Sequence, residues 1–254
     1  MWSSIWTECA GERELRSIAC NALRAVEAQH VIATRKLVDT SEEQELLDEL
    51  IDTVKPAWPR SVAGKGLHYL LSTPFRYPPL RRGSRFGGRD RRGIWYGSRR
   101  EDTALAEVAY YRLLFLEGTS AKIDRVELEL TTFRIRVESM AGVDLTGPPF
   151  NSRHSEISSP VSYAATQALG DAMREAGVEL FLWPSARDPR HGPNIGLFSP
   201  APFDGRSPGH FASWHCTTTS REVEFTRRSL RRRETHVFSR ELFLVDGRLP
   251  QPAI

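Results

Sequence analysis

The 254-residue chain is short of cysteine, short of lysine, and has no long apolar run. Three cysteines (Cys9, Cys20 and Cys216) stand at unrelated spacings, which sets aside a disulfide framework and suits a reducing cytoplasm. No stretch of about 18 or more uncharged apolar residues is present, so no membrane span is expected. The opening residues, Met1 to Glu8, lack the basic stretch and apolar core of a secretory signal. There is no internal repeat and no low-complexity tract. The glycine pattern of a Rossmann dinucleotide site is missing, as are the P-loop and the Gly-x-Ser-x-Gly elbow of hydrolases. His191, His215 and Cys216 do not form a metal-ligand spacing, so no metal site is expected.

What is present is an ordinary globular composition, 40% apolar, 26% charged and 9% aromatic. The net charge is only +3, and most of the 35 basic residues are arginines. Arginine presents a planar fork of donors matched to phosphates and carboxylates. Arginines cluster at Arg81-Arg82, Arg85, Arg89 to Arg92 and Arg99-Arg100, and again at Arg227-Arg228 and Arg231 to Arg233. The last cluster reads either as a solvated face or as a nucleic-acid patch. No interleaved aromatics or nucleic-acid motif accompany it, so no direct nucleic-acid contact is expected.

Residues 8–54 read as helical, with apolar Leu15, Ile18, Ala19, Ala22 and Val26 at three- and four-residue steps. Ser41-Glu42-Glu43-Gln44 opens a second amphipathic stretch that ends near Val54. Pro56 and Pro59 punctuate the chain, which divides it into a helical N-terminal extension (1–60) and a main domain (61–254). In the main domain, strands are expected at 67–72, 94–96, 122–129, 132–137, 178–183, 194–198, 211–217, 222–226 and 235–239. Helices are expected at 103–116 and 161–175. The fold class is α/β of the α+β kind, a mixed sheet with helices.

Four places carry candidate chemistry. Glu107 stands in a helix that is apolar almost all round, where an unpaired carboxylate is costly. It is either a rim residue paired with an arginine or a catalytic carboxylate in a cleft, with Asp102 or Thr103 as helix cap. Gly83-Ser84-Arg85-Phe86-Gly87-Gly88 is either a surface turn or a loop whose N–H groups and Arg85 grip a pyrophosphate. Tyr96 is either core or a ring face for a flat cationic heterocycle. Ser185 either caps a turn or hydrogen-bonds a ligand, in a loop that follows an apolar strand.

Taken in order, Phe75-Arg76-Tyr77, Ser84-Arg85-Phe86, Gly93 to Ser98 and Ala104-Leu105-Ala106-Glu107-Val108 resemble the front half of a RES domain. Ser185-Ala186-Arg187 and Asn194 to Phe198 resemble its back half, and Arg85, Tyr96 and Glu107 stand at equal intervals, as in that family. The resemblance covers roughly residues 66–200. It implies an ADP-ribosyltransferase-like fold and the toxin of a bacterial toxin–antitoxin pair, acting on NAD+ as substrate. It further implies an Xre-type helix-turn-helix antitoxin as partner and, for members that transfer ADP-ribose, a protein acceptor. On that resemblance Arg76 and Arg85 hold the pyrophosphate with Tyr77 nearby in the NAD+ site, Tyr96 stacks on nicotinamide, Ser185 positions NAD+, and Glu107 acts on the nicotinamide-side ribose.

Overall fold

The computed structural model describes residues 4–28, 37–59, 62, 66–77, 83–121, 123–227 and 234–252. In chain order the elements are α1 (Ile5–Glu8), β1 (Arg16–Glu27), α2 (Ser41–Val54), α3 (Tyr69–Arg76), β2 (Trp95–Ser98), α4 (Glu101–Gly118) and β3 (Arg125–Asp144). There follow α5 (His154–Ile157), α6 (Ala164–Glu175), β4 (Leu180–Pro184), β5 (Pro193–Leu197), β6 (Gly209–Thr219), β7 (Glu222–Arg227) and β8 (Thr235–Ser239). This is a mixed α/β fold on one eight-stranded sheet, in the order β1-β2-β5-β4-β3-β6-β7-β8.

The sheet also closes on itself, because β1 pairs with β3 as well as with β2. Strands β1, β2, β5, β4 and β3 thus form a ring, and β6 to β8 extend from β3 as a wing. All pairings are antiparallel except the short parallel contact of β3 with β4 at Gly142–Asp144. Alternation of side chains along each strand sends one set inward. Ile18, Cys20 and Ala22 of β1, Trp95 of β2, Leu180 and Leu182 of β4, Ile195 and Leu197 of β5, and Phe133, Ile135 and Val137 of β3 meet in one cluster. Leu71 and Phe75 of α3 join that same core.

Two further cores lie outside the ring. Phe181 and Trp183 of β4 point outward with Phe86 and Ile94 onto Leu169 and Met173 of α6, and Ile5 and Trp6 of α1 cover the same face. Helix α4 packs Leu105, Ala109, Tyr110 and Leu113 against Trp214, Cys216, Val223 and Phe225 of the wing. Because α4 spans from the ring to the wing, it is buried on most sides, while Tyr111 and Phe115 remain exposed along one edge. The three cysteines are buried and unpaired.

The structure departs from the sequence reading in three elements. Residues 16–27 form a strand, not a helix, so the N-terminal segment is a member of the ring and the helical part of the extension is chiefly α2. The same residues Ile18 and Ala22 satisfy a four-residue step and a two-residue alternation, and eleven paired positions with β3 decide for the strand. Residues 69–76 are helical, not a strand, with Pro74 inside the helix. The two strands expected within 122–137 are one continuous strand, β3, that runs to Asp144. The elements at α4, α6, β4, β5, β6, β7 and β8 match the expected positions to within a few residues.

Candidate functional site

The site gathers at one end of β2, β4 and β5, on the outer side of the ring. Ser98 ends β2 and pairs with Asn194 of β5, which in turn pairs with Trp183 of β4. The loop from Pro184 to Pro193 returns between β4 and β5, and α4 crosses above it with Glu107. Ser185 Oγ donates to Glu107 Oε1 at 2.7 Å, and Asn194 Nδ2 donates to the same oxygen at 2.6 Å. Ser185 Oγ accepts from the backbone N–H groups of Arg187 and Asp188, both at 3.0 Å. With its lone pairs engaged in this way, the hydroxyl has one proton, and that proton is committed to Glu107. Ser185 is therefore placed as a holder of the carboxylate and not as a nucleophile. Among the described residues, Glu107 Oε2 has no hydrogen-bond partner and is not sealed off from solvent.

Asp188 fixes the loop to α4. Its Oδ2 accepts from Thr103 Oγ1 at 2.7 Å and from the Gly192 N–H at 3.2 Å, and its Oδ1 accepts from the Arg190 N–H at 2.9 Å. Gly192 has to be glycine here, since a Cβ would collide with Thr103 Oγ1 and crowd Asp188 Oδ2. The loop also closes through Ser185 N–H to Gly192 O at 3.0 Å, and His191 Nδ1 donates to Ser185 O at 2.9 Å. Asp102 and Thr103 lie inside the first turn of α4 and do not cap it; the cap position is Arg100, without a side-chain cap bond. Asp102 instead pairs with Arg100 and Arg190, and the Arg100 hydrogen bond holds its carboxyl below the usual carboxylate range.

Two buried guanidiniums stand beside this cluster. Arg85 is 9% exposed and Arg187 3% exposed. Arg85 Nη1 donates to Ser159 O at 2.9 Å and Ile157 O at 3.3 Å, and its carbon lies 4.6 Å from the Tyr163 ring centre. Arg187 Nη2 donates to Pro160 O at 3.0 Å, and its carbon sits 3.5 Å over the Tyr110 ring. The loop at 157–160 thus ties the two arginines together. The charges of Arg187, Arg85 and Glu107 all act on the Tyr110 phenol, which burial pushes up to about 12. Among the described residues, no carboxylate forms a salt bridge with either guanidinium. A buried cation without a counter-ion is costly, so this end of the molecule is prepared for an anion.

Tyr96 braces the Arg85 turn. Its hydroxyl accepts from the Phe86 N–H at 3.2 Å and shares a 2.9 Å bond with Ser84 Oγ, and burial pushes that phenol up to about 12. Its ring meets Trp183 edge-on, with centres 5.6 Å apart. The glycine-rich turn does not offer its N–H groups as an anion cradle at every position. Ser84 N–H and Gly87 N–H bond each other's carbonyls, and Phe86 N–H bonds Tyr96, so the turn mainly aims Arg85.

The structure brings Glu107, Ser185, Arg85 and Tyr96 into one region and does not bring Arg76 or Tyr77 to the carboxylate. Arg76 Nε donates to Pro56 O at 2.7 Å and its guanidinium stacks 4.6 Å over Trp58. Helix α3 approaches the sheet near Gly93, at the start of β2, whereas Glu107 and its partners gather past Ser98 at the other end. Two residues not singled out from sequence belong to the site, Asn194 and Arg187. Both fall inside segments that carried the resemblance, but nothing in their spacing marked them. Of the last arginine cluster, Arg227 is tied to Glu234 at 3.1 Å and stacks over Trp214, and Arg228 to Arg233 lie outside the described residues. Among the described residues, no group of His, Cys, Asp and Glu is arranged to hold a metal ion, and no helix is long and apolar enough to cross a membrane.

A family model described as the RES domain matches residues 57–227. No curated protein matches the chain. Among solved structures, the chain is similar to the Mycobacterium tuberculosis MbcT–MbcA toxin–antitoxin complex. The identity is 14%, the match covers 77% of this chain and 82% of that chain, and the TM-score is 0.44.

Proposed function

The chain belongs to the RES domain family, and from that premise we propose that it is the toxin of a toxin–antitoxin pair that breaks the nicotinamide–ribose bond of NAD+. The observation that carries the reading is one carboxylate with a pinned oxygen and a free one, beside two buried guanidiniums that lack a counter-ion. A dinucleotide supplies what each part needs. Its pyrophosphate meets Arg85 and Arg187, through donors that the loop carbonyls leave over. The half-buried ring of Tyr96 borders the space for nicotinamide, with Trp183 at its back. Glu107 Oε2 faces the nicotinamide-side ribose and offsets the positive charge that grows there as the C–N bond loosens. Nicotinamide leaves as a neutral ring, so no general acid is required of the protein. Water or phosphate takes the ribose carbon. In this reading Ser185 acts on NAD+ only through Glu107.

The proposed setting is the cytoplasm, with an Xre-type helix-turn-helix antitoxin that covers the cleft until it is removed. Expression without antitoxin is expected to arrest growth and to deplete cellular NAD+, and growth arrest with NAD+ at its normal level would refute the proposal. Label from the adenylate half of NAD+ that ends on a protein would move the reading to ADP-ribose transfer, whereas free ADP-ribose or its phosphate supports splitting. Arg85→Ala is expected to raise the KM for NAD+ by about tenfold to a hundredfold, the range for one charge-assisted contact. An unchanged KM in steady-state kinetics would remove Arg85 from the binding role.

A further inference from the structure

The Glu107 carboxylate has two oxygens of unequal standing, and the difference originates two residues deep in the sheet. Asn194 is 2% exposed and Ser98 3% exposed, so neither side chain is free to turn into water. Ser98 Oγ donates to Asn194 Oδ1 at 2.6 Å. The carboxylate on the other side settles which way round the amide stands: it only accepts, so the NH2 group must face Glu107 and Oδ1 is left to accept the Ser98 hydroxyl proton. With Oδ1 turned to Ser98, Nδ2 is turned to Glu107 Oε1, 2.6 Å away. The inverted amide would set its oxygen against a carboxylate oxygen at that distance, a repulsive contact in a water-poor site.

We propose that Asn194, oriented by Ser98, is a positioning residue that pins Glu107 Oε1 and thereby reserves Oε2 as the oxygen that works on the substrate. Ser185 contributes the second pin, and its own orientation is set from the other side by the Arg187 and Asp188 N–H groups. Glu107 is thus gripped between β5 and the β4–β5 loop. The carboxylate cannot rotate to exchange its two oxygens without losing both donors. Preorganisation of this kind acts on the rate and leaves ground-state binding nearly unchanged. The inference rests on the NAD+-cleaving reading and adds to it a residue that acts through Glu107.

The test is steady-state NAD+ cleavage by the purified full chain and four variants, each checked for folding by circular dichroism. Asn194→Ala is expected to lower kcat about tenfold to a hundredfold with KM within twofold. Asn194→Asp keeps the size and shape of the side chain but sets a second carboxylate against Glu107, so it is expected to lose at least as much as the alanine variant. A packing role predicts the opposite order, with aspartate the milder change. Ser98→Ala is expected to lose less than Asn194→Ala, and the double variant to match Asn194→Ala alone, since Ser98 acts only through the amide. Near-parental kcat in Asn194→Asp, or additive losses in the double variant, would overturn the inference while parental NAD+ turnover keeps the functional reading. A folded parent that does not cleave NAD+ would overturn both.

Discussion

Glu107→Gln is expected to cut NAD+ cleavage by about 10²–10³-fold, the usual loss when one preorganised charge interaction is removed from a reacting centre. The substitution is well controlled by the geometry. A glutamine carbonyl oxygen in place of Oε1 still accepts from Ser185 and Asn194, which the native carboxylate does at 2.7 and 2.6 Å. Only the outer atom changes, from an anionic oxygen to a neutral NH2 group. The fold and the two inner bonds persist, while the charge that faces the ribose is gone. Circular dichroism and thermal melting should match the parent, and NAD+ loss followed over time should be nearly abolished. A folded glutamine variant with parental turnover would remove Glu107 from the chemistry.

The second large effect is on stability. Asp188→Ala is expected to destabilise the protein by about 3–5 kcal/mol, near the low end of about 1–3 kcal/mol for each of three donors left without an acceptor. Three donors lose their acceptor at once, the Thr103 hydroxyl and the Gly192 and Arg190 N–H groups. Asp188 is only 4% exposed, so water cannot readily replace the lost carboxylate. For a chain of this size the change corresponds to a fall in Tm on the order of 10 °C. Activity is expected to fall as well, because the same bonds hold the Ser185 loop against α4. A melting temperature within about 2 °C of the parent, roughly 1 kcal/mol or less, would show that the loop is not secured in this way.

Part of this was legible in the residues. Helix α4 announced itself through its apolar run, and Glu107 stood out as a carboxylate within it. Strand β4 is legible as a short continuous apolar run, Leu180 to Trp183, between Gly177 and Pro184, the pattern of a strand buried on both faces. Ser185 is legible as a loop residue after an apolar strand, but its bonding is not, because Arg187 and Asp188 reach it by backbone atoms. Strand β1 was hidden because its apolar residues fit two periods at once, and only pairing with β3 chose between them. Arg76 and Arg85 look equivalent along the chain, nine positions apart. They separate in space because α3 approaches the start of β2 and the Arg85 turn lies on the outer face with Tyr96. Asn194 and Arg187 carried no local signal, since their importance arises from strand register and from a loop that folds back onto α4.

All of these expectations depend on a single chemical event, the departure of nicotinamide at the Glu107 carboxylate. The most direct measurement is release of free nicotinamide from NAD+ labelled in that ring, by the purified chain without antitoxin. The parent is expected to release nicotinamide steadily, and Glu107→Gln almost none. Intact labelled NAD+ after prolonged incubation with the folded parent would contradict it.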